Sequence, residues 1–206
     1  MSLTFLILIV TGITTYLGLN NYSIQNKLIF NPYLVYQKKQ VYRLLTHGFI
    51  HADLGHVLFN LLAFWMFGTM VEERFTIYFG DKGPIYFLML YLGGIVSASL
   101  YSLEKYKEIP SYNALGASGA VSAVVFASIL LEPTQKIGVF IIPPIIPGYI
   151  FGFLYLWYSN YMAKKGHDNV GHDAHFWGAV FGFAITLALR PQFLPEFMQQ
   201  ITESFQ

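Results

Sequence analysis

Residues 113–120 read Asn113-Ala-Leu-Gly-Ala-Ser-Gly-Ala120, and no charged residue follows until Glu132. Small residues opening an apolar run of this length predict a helix in lipid, where close backbone approach replaces hydrophobic packing. The run predicts a helix over Leu115–Leu131, with Ser118 one turn inside it between Gly116 and Gly119. A serine in such a place ordinarily bonds back to a carbonyl of the preceding turn and packs quietly. Two other stretches, around His56 and His175, give it a second reading.

Composition supports lipid as the solvent. The chain has 206 residues, 55% hydrophobic, 18% aromatic and 11% charged. A soluble domain carries about 25% charged residues. A net charge of +1 gives no reason to expect a nucleic-acid partner. With no cysteine there is no disulfide, thiolate metal site or cysteine nucleophile.

A bilayer crossing takes about 17 to 25 residues, slightly fewer where protein shields a helix end. Six uncharged runs meet this, near Leu3–Leu19, Leu54–Val71, Pro84–Leu103, Leu115–Leu131, Ile145–Met162 and Ala174–Leu189. The first lacks a basic leader and a small-residue cleavage site, so it reads as a retained helix. The expectation is a single all-α membrane domain of six transmembrane helices over residues 1–206. No internal repeat suggests the symmetry of many transporters.

The loop from Asn20 to Asp53 is the one long connection. It mixes Lys27, Lys38, Lys39 and Arg43 with Phe30, Tyr33, Tyr36 and Tyr42, which suits a segment lying in the membrane interface. Pro143, Pro144 and Pro147 read as a stiff entry to the fifth span. The residues from Pro191 to Gln206 read as a polar, peripheral tail. Ala174, Gly178 and Gly182 recur at four-residue spacing, as do Gly119, Ala123 and Ala127. Facing rows of this kind bring two membrane helices into close contact, and so bring Ser118 and His175 within reach of each other.

His56 and Asn60 are four residues apart at the start of the second span and share a helical face. Polar groups at such depth face a bundle interior or wet cavity, either as glue between helices or as a functional site. His47 and His51 share helical spacing too, but neither is followed by the glutamate of an H-E-x-x-H zinc site, so no metal and no cofactor is expected. In Gly171-His172-Asp173-Ala174-His175, the last residue opens the sixth span. Asp173 and Asp168 are candidates for a third acid, but neither is assigned, since two residues before His175 is poor geometry. His56, Ser118 and His175 all lie near the N-terminal ends of even-numbered spans, which run in one direction. All three therefore sit toward the same membrane face. The chemistry of such a group is acyl transfer: Ser118 as nucleophile, His175 as general base, and His56, Asn60 and the Ser118 N–H as oxyanion donors.

With these residues the chain resembles the rhomboid family of intramembrane serine proteases. The resemblance rests on Gly116-Ala-Ser118-Gly119, on His56-x-x-x-Asn60, and on Ala174-His175-x-x-Gly178-x-x-x-Gly182. Arg43, His47 and His51 before the second span and Glu72-x-Arg74 after it belong to it as well. It implies a Ser-His dyad without a third acid, in a wet cavity opening to one face. Its partners would be membrane lipid and transmembrane protein substrates, cut within or beside the bilayer. The chain departs from the pattern in places. Some members carry a tyrosine four residues after the serine, stacked on the histidine; here that position is Ser122, and Phe126 is the substitute expected. The Trp-Arg pair of some relatives is Tyr42-Arg43, and a glycine often found after the Glu-x-Arg element is Thr76. Gating elements would be the aromatic fifth span (Phe151, Phe153, Tyr155, Trp157) and the Ala163–Asp173 loop.

Two other functions compete. A catalytically silent relative that escorts membrane helices would typically lack the serine or histidine, and both are present. A small transporter would want a charge inside a span, and none is found. A soluble α/β-hydrolase would want Gly-x-Ser-x-Gly, where this chain has Ala120. The resemblance implies a multi-pass protein of the bacterial inner (plasma) membrane, with its site opening to the extracytoplasmic side. Basic residues run against this. Lys27, Lys38, Lys39, Arg43, Lys105, Lys107, Lys164 and Lys165 would lie outside, and only Arg74, Lys82, Lys136 and Arg190 inside. The first four of the outer set sit in the interfacial loop, and the remainder give no bias.

Overall fold

The computed structural model describes residues 2–139, 142–165 and 171–206. Six long helices fall on the predicted runs: α1 (Leu3–Asn20), α5 (Leu54–Phe79), α6 (Gly83–Tyr106), α7 (Ser118–Leu131), α8 (Gly148–Lys165) and α9 (His172–Leu189). Three short helices, α2 (Tyr22–Leu28), α3 (Pro32–Lys38) and α4 (Arg43–Thr46), fill the long first loop.

The molecule has an apolar core but is apolar on its outside as well. α1 turns Thr4, Thr11 and Thr15 inward and leaves Phe5, Ile9, Ile13 and Leu17 exposed. Phe153 and Trp157 on α8 and Leu58 on α5 are likewise exposed. Such a surface is stable only against hydrocarbon. By length and mean hydropathy alone, Leu3–Asn20 and the stretch Leu54–Tyr106, which breaks at Gly80, can cross a bilayer. His172–Leu189 passes the same test together with the helix that follows it. This is fewer than the six crossings read from the sequence, because α7 has only 14 residues and α8 is the least apolar of the six.

α7 is the central post. Every residue from Gly119 to Leu131 is buried, against α9, α6 and α5, and only Ser118 at its start is half-buried. Small residues allow this. Gly94 and Ala98 of α6 meet Ala120, Ala123 and Gly119, and on α9 Gly178 lies on the backbone of Gly119 and Gly182 on that of Ala123. A Cβ at Gly178 or Gly182 would overlap a backbone carbonyl of α7.

Three expectations are corrected. α7 begins at Ser118 rather than Leu115, so the serine opens the helix instead of lying one turn inside it. The fold is not purely helical: Lys136–Val139 and Ile142–Pro147 form an antiparallel hairpin, pairing Lys136 with Pro147 and Ile137 with Ile146. The prolines are compatible because each strand of a two-stranded sheet is an edge, and α8 starts only at Gly148. The tail is not merely polar. Phe193–Glu203 forms α10, bent 109° from α9, with Phe193 buried and Gln200 Nε2 donating to the Leu131 carbonyl at 3.1 Å.

At the end opposite Ser118, the Glu72 carboxylate accepts from the N–H groups of Leu3 (2.7 Å) and Thr4 (2.9 Å), and Arg74 pairs with Glu132 at 2.5 Å.

Candidate active site

The approach to Ser118 is held by the first loop, one residue after another. Ala114 and Phe30 exchange backbone hydrogen bonds at 3.0 and 2.9 Å. The Gly116 N–H donates to the His47 carbonyl at 2.9 Å, and the Ala117 N–H donates to His51 Nε2 at 3.2 Å. Gly116 has φ +119, a conformation that side chains rarely adopt. The chain thus turns sharply into α7 with Ser118 at the helix's positive end.

Because His51 Nε2 accepts, its proton sits on Nδ1, which donates to Thr15 Oγ1 at 3.0 Å. Thr15 in turn donates to the Phe49 carbonyl at 3.3 Å. His47 is buried, with Nε2 2.9 Å from Ser99 Oγ. Burial lowers the pKa of His47 to about 4 and, with the neighbouring His56 adding to it, that of His51 to about 3. Both rings are neutral struts between the first loop and the helices.

His56 sits on the first turn of α5, where its N–H donates to the capping carboxylate of Asp53 at 2.8 Å. Its ring lies edge-on to His51, centroids 4.8 Å apart, and against Gly116: a Cβ there would stand 2.7 Å from His56 Cε1. One turn on, Asn60 is buried and donates to the His56 carbonyl at 3.0 Å. The structure therefore sets His56 against Gly116, two residues before Ser118, with Asn60 one turn further along α5.

His175 comes from α9, whose first turn lies beside that of α7. The Ala174 carbonyl stands 3.5 Å from where a Gly119 Cβ would be, so the neighbours of Ser118 and His175 face each other across the helix contact. Asp173 is engaged by α6, with Ser102 Oγ donating to Oδ2 at 2.7 Å and the Ala174 N–H donating to Oδ1 at 2.9 Å. Asp168 lies outside the described residues, as does part of the loop before Asp173.

The aromatic ring stacked on His175 is not Phe126. It is Tyr155 of α8, centroid 6.3 Å away and tilted 27°. Phe126 packs behind Tyr155 at 5.6 Å. The Tyr155 hydroxyl lies 2.6 Å from Ser122 Oγ, and Ser122 Oγ donates to the Ser118 carbonyl at 2.8 Å. The sequence holds one hint of this pair: a serine hydroxyl on a buried helix and a tyrosine on an otherwise lipid-facing one each need a polar partner.

The Rhomboid domain family matches residues 38–192. Similar proteins include the RHOMBOID-like protein 12, mitochondrial, of Arabidopsis thaliana, 27% identical over 160 residues, covering 70% of this chain and 45% of that protein. The rhomboid protease GluP of Bacillus subtilis is 31% identical over 149 residues, 69% of this chain and 25% of its own. The rhomboid protease GlpG of Haemophilus influenzae is 34% identical over 98 residues, 48% and 45% of the two chains. Each match spans less than half of the relative's length.

Proposed function

The chain belongs to the rhomboid family, and from that premise we propose that it is an intramembrane serine endopeptidase with a Ser118–His175 dyad. The observation that carries the reading is that Ser118 alone on α7 is not fully buried, at the point where the helix meets α9 beside His175. In this reading Ser118 Oγ attacks the scissile carbonyl while its proton passes to the His175 imidazole. The oxyanion forms at the start of α7, toward the Ser118 N–H, His56 and Asn60. The Ala117 N–H is already committed to His51, which leaves the Ser118 N–H as the first backbone donor of the helix. The intermediate collapses to an acyl-enzyme as His175 returns the proton to the leaving amine. Water then hydrolyses the ester by the reverse proton path.

All six long helices cross the membrane in this reading. A 14-residue helix is about 21 Å long, shorter than the roughly 30 Å hydrocarbon core. Ser118 is therefore recessed below the membrane surface, at a depth suited to a transmembrane substrate. Substrate helices must open for attack, so those with Gly or Pro near the cut are favoured. The reading puts the protein in a bacterial inner membrane with the site facing outward, although the similar proteins include mitochondrial ones.

The test is fluorophosphonate labelling of the detergent-solubilised protein, paired with cleavage of a model transmembrane substrate in proteoliposomes. Both activities are expected in the wild type and in neither Ser118→Ala nor His175→Ala. Labelling of Ser118→Ala at the wild-type rate would overturn the assignment of the nucleophile, and a wild type that neither labels nor cleaves would leave the escort and transporter readings.

A further inference from the structure

We infer that Tyr155 is a positioning residue for His175, held in place by a hydrogen-bond chain that ends on the carbonyl of Ser118. The inference rests on the dyad reading above. Ser122 has one hydroxyl proton and gives it to the Ser118 carbonyl, 2.8 Å away. Its oxygen is then the acceptor for the Tyr155 O–H at 2.6 Å. The direction of the chain is thereby assigned: Tyr155 to Ser122 to Ser118.

The phenol ring is flanked by Phe126 and Phe151, at 5.6 and 5.8 Å between centroids. Its position over His175, 6.3 Å between centroids at 27°, falls within the range of favourable aromatic pairs. Two consequences follow for a base. A ring packed on one side loses rotamer freedom, so the imidazole stays aimed at the nucleophile. An imidazolium formed during attack faces the negative surface of an aromatic ring, which stabilises it.

Ordinary packing does not account for this. The α8 aromatics at neighbouring positions, Phe153 and Trp157, are exposed, whereas Tyr155 faces inward with its hydroxyl bonded to Ser122 of α7. The residue also joins α8 to the base, so the docking of α8 against α7 sets the base's orientation.

The experiment compares wild type, Tyr155→Leu, Tyr155→Phe, Ser122→Ala and the Phe/Ala double variant. The second-order rate of fluorophosphonate labelling is measured, with kcat and KM on a transmembrane substrate. The small reagent reports the dyad without substrate entry. Tyr155→Leu is expected to lower labelling and kcat about tenfold with KM unchanged. Tyr155→Phe and Ser122→Ala are each expected to lower them about threefold, and the double variant no further, because both break one chain. Wild-type labelling in Tyr155→Leu, or multiplied losses in the double variant, would overturn the inference. A changed KM with unaltered labelling would do the same, by making Tyr155 a gate residue. If Tyr155→Leu does not fold, the cycle of the two conservative variants decides alone. Ser118→Ala keeps the two levels apart. If it still labels, the dyad reading fails; if it is silent while the Tyr155 variants label at full rate, only this inference fails.

Discussion

Gly178 of α9 rests directly on the backbone of Gly119, the residue after Ser118, with no space for a methyl group between them. Any side chain at position 178 must push α9 away from α7 and carry His175 with it. Gly178→Ala is therefore expected to cost stability by roughly 1–3 kcal/mol and to reduce proteolysis more than melting alone explains. Thermal melts in detergent and turnover below the melting range check both parts. Wild-type activity in Gly178→Ala would show that the contact does not set the dyad.

Gly116→Ala joins two penalties. Its φ of +119 disfavours a side chain, and the new Cβ would stand 2.7 Å from His56 Cε1. The variant should fold less stably and lose turnover by displacing His56. Ala→Gly changes at the flanking Ala117, which has an ordinary backbone, should be milder. Equal effects at the two positions would contradict the argument.

His56→Ala and Asn60→Ala test the oxyanion donors. Loss of one such donor costs as much as about 10²–10³ in turnover where it acts, and less here because the Ser118 N–H remains. Unchanged kcat in both variants would remove them from the mechanism.

Acid should destabilise the fold through the first loop. An unfolded histidine titrates near about 6.5, whereas burial holds folded His47 near about 4 and His51 near about 3. Below the unfolded value the unfolded chain binds protons that the folded one refuses, so stability present above about pH 6.5 is lost as pH falls toward 4. Melting temperatures between pH 8 and about 4.5 should fall on acidification, and His51→Gln should flatten the slope. A flat profile in the wild type would count against neutral buried rings.

Orientation can be settled because the chain has no cysteine of its own. In Lys105→Cys and Lys82→Cys, treated with an impermeant thiol reagent on intact cells, position 105 should label and 82 stay protected. The reverse would put Ser118 on the inner side.

The long helices and the glycine row on α9 were legible because each depends on local spacing alone. Tyr155 was not, since its pairing with Ser122 and His175 joins three helices and depends on how α8 docks. The hairpin was hidden by its prolines, which read as a helix entry. The β-branched Ile137, Val139, Ile142, Ile145 and Ile146 around them carried the strand signal instead. In the tail, Phe193, Phe197 and Ile201 recur every four residues, an amphipathic stripe masked by the glutamines and glutamates between them.

Glu72 ties this architecture to the order in which it is made. The amide groups of Leu3 and Thr4 are synthesised 69 and 68 residues before the carboxylate that accepts from them. Until α5 is made, Ser2 Oγ accepts from the Phe5 N–H alone, and the amides of Leu3 and Thr4 await their acceptor. Arrival of Glu72 gives those amides a permanent acceptor and clasps the two helices at the face away from Ser118. Biogenesis thus closes the end of the molecule away from Ser118 through a late-arriving carboxylate.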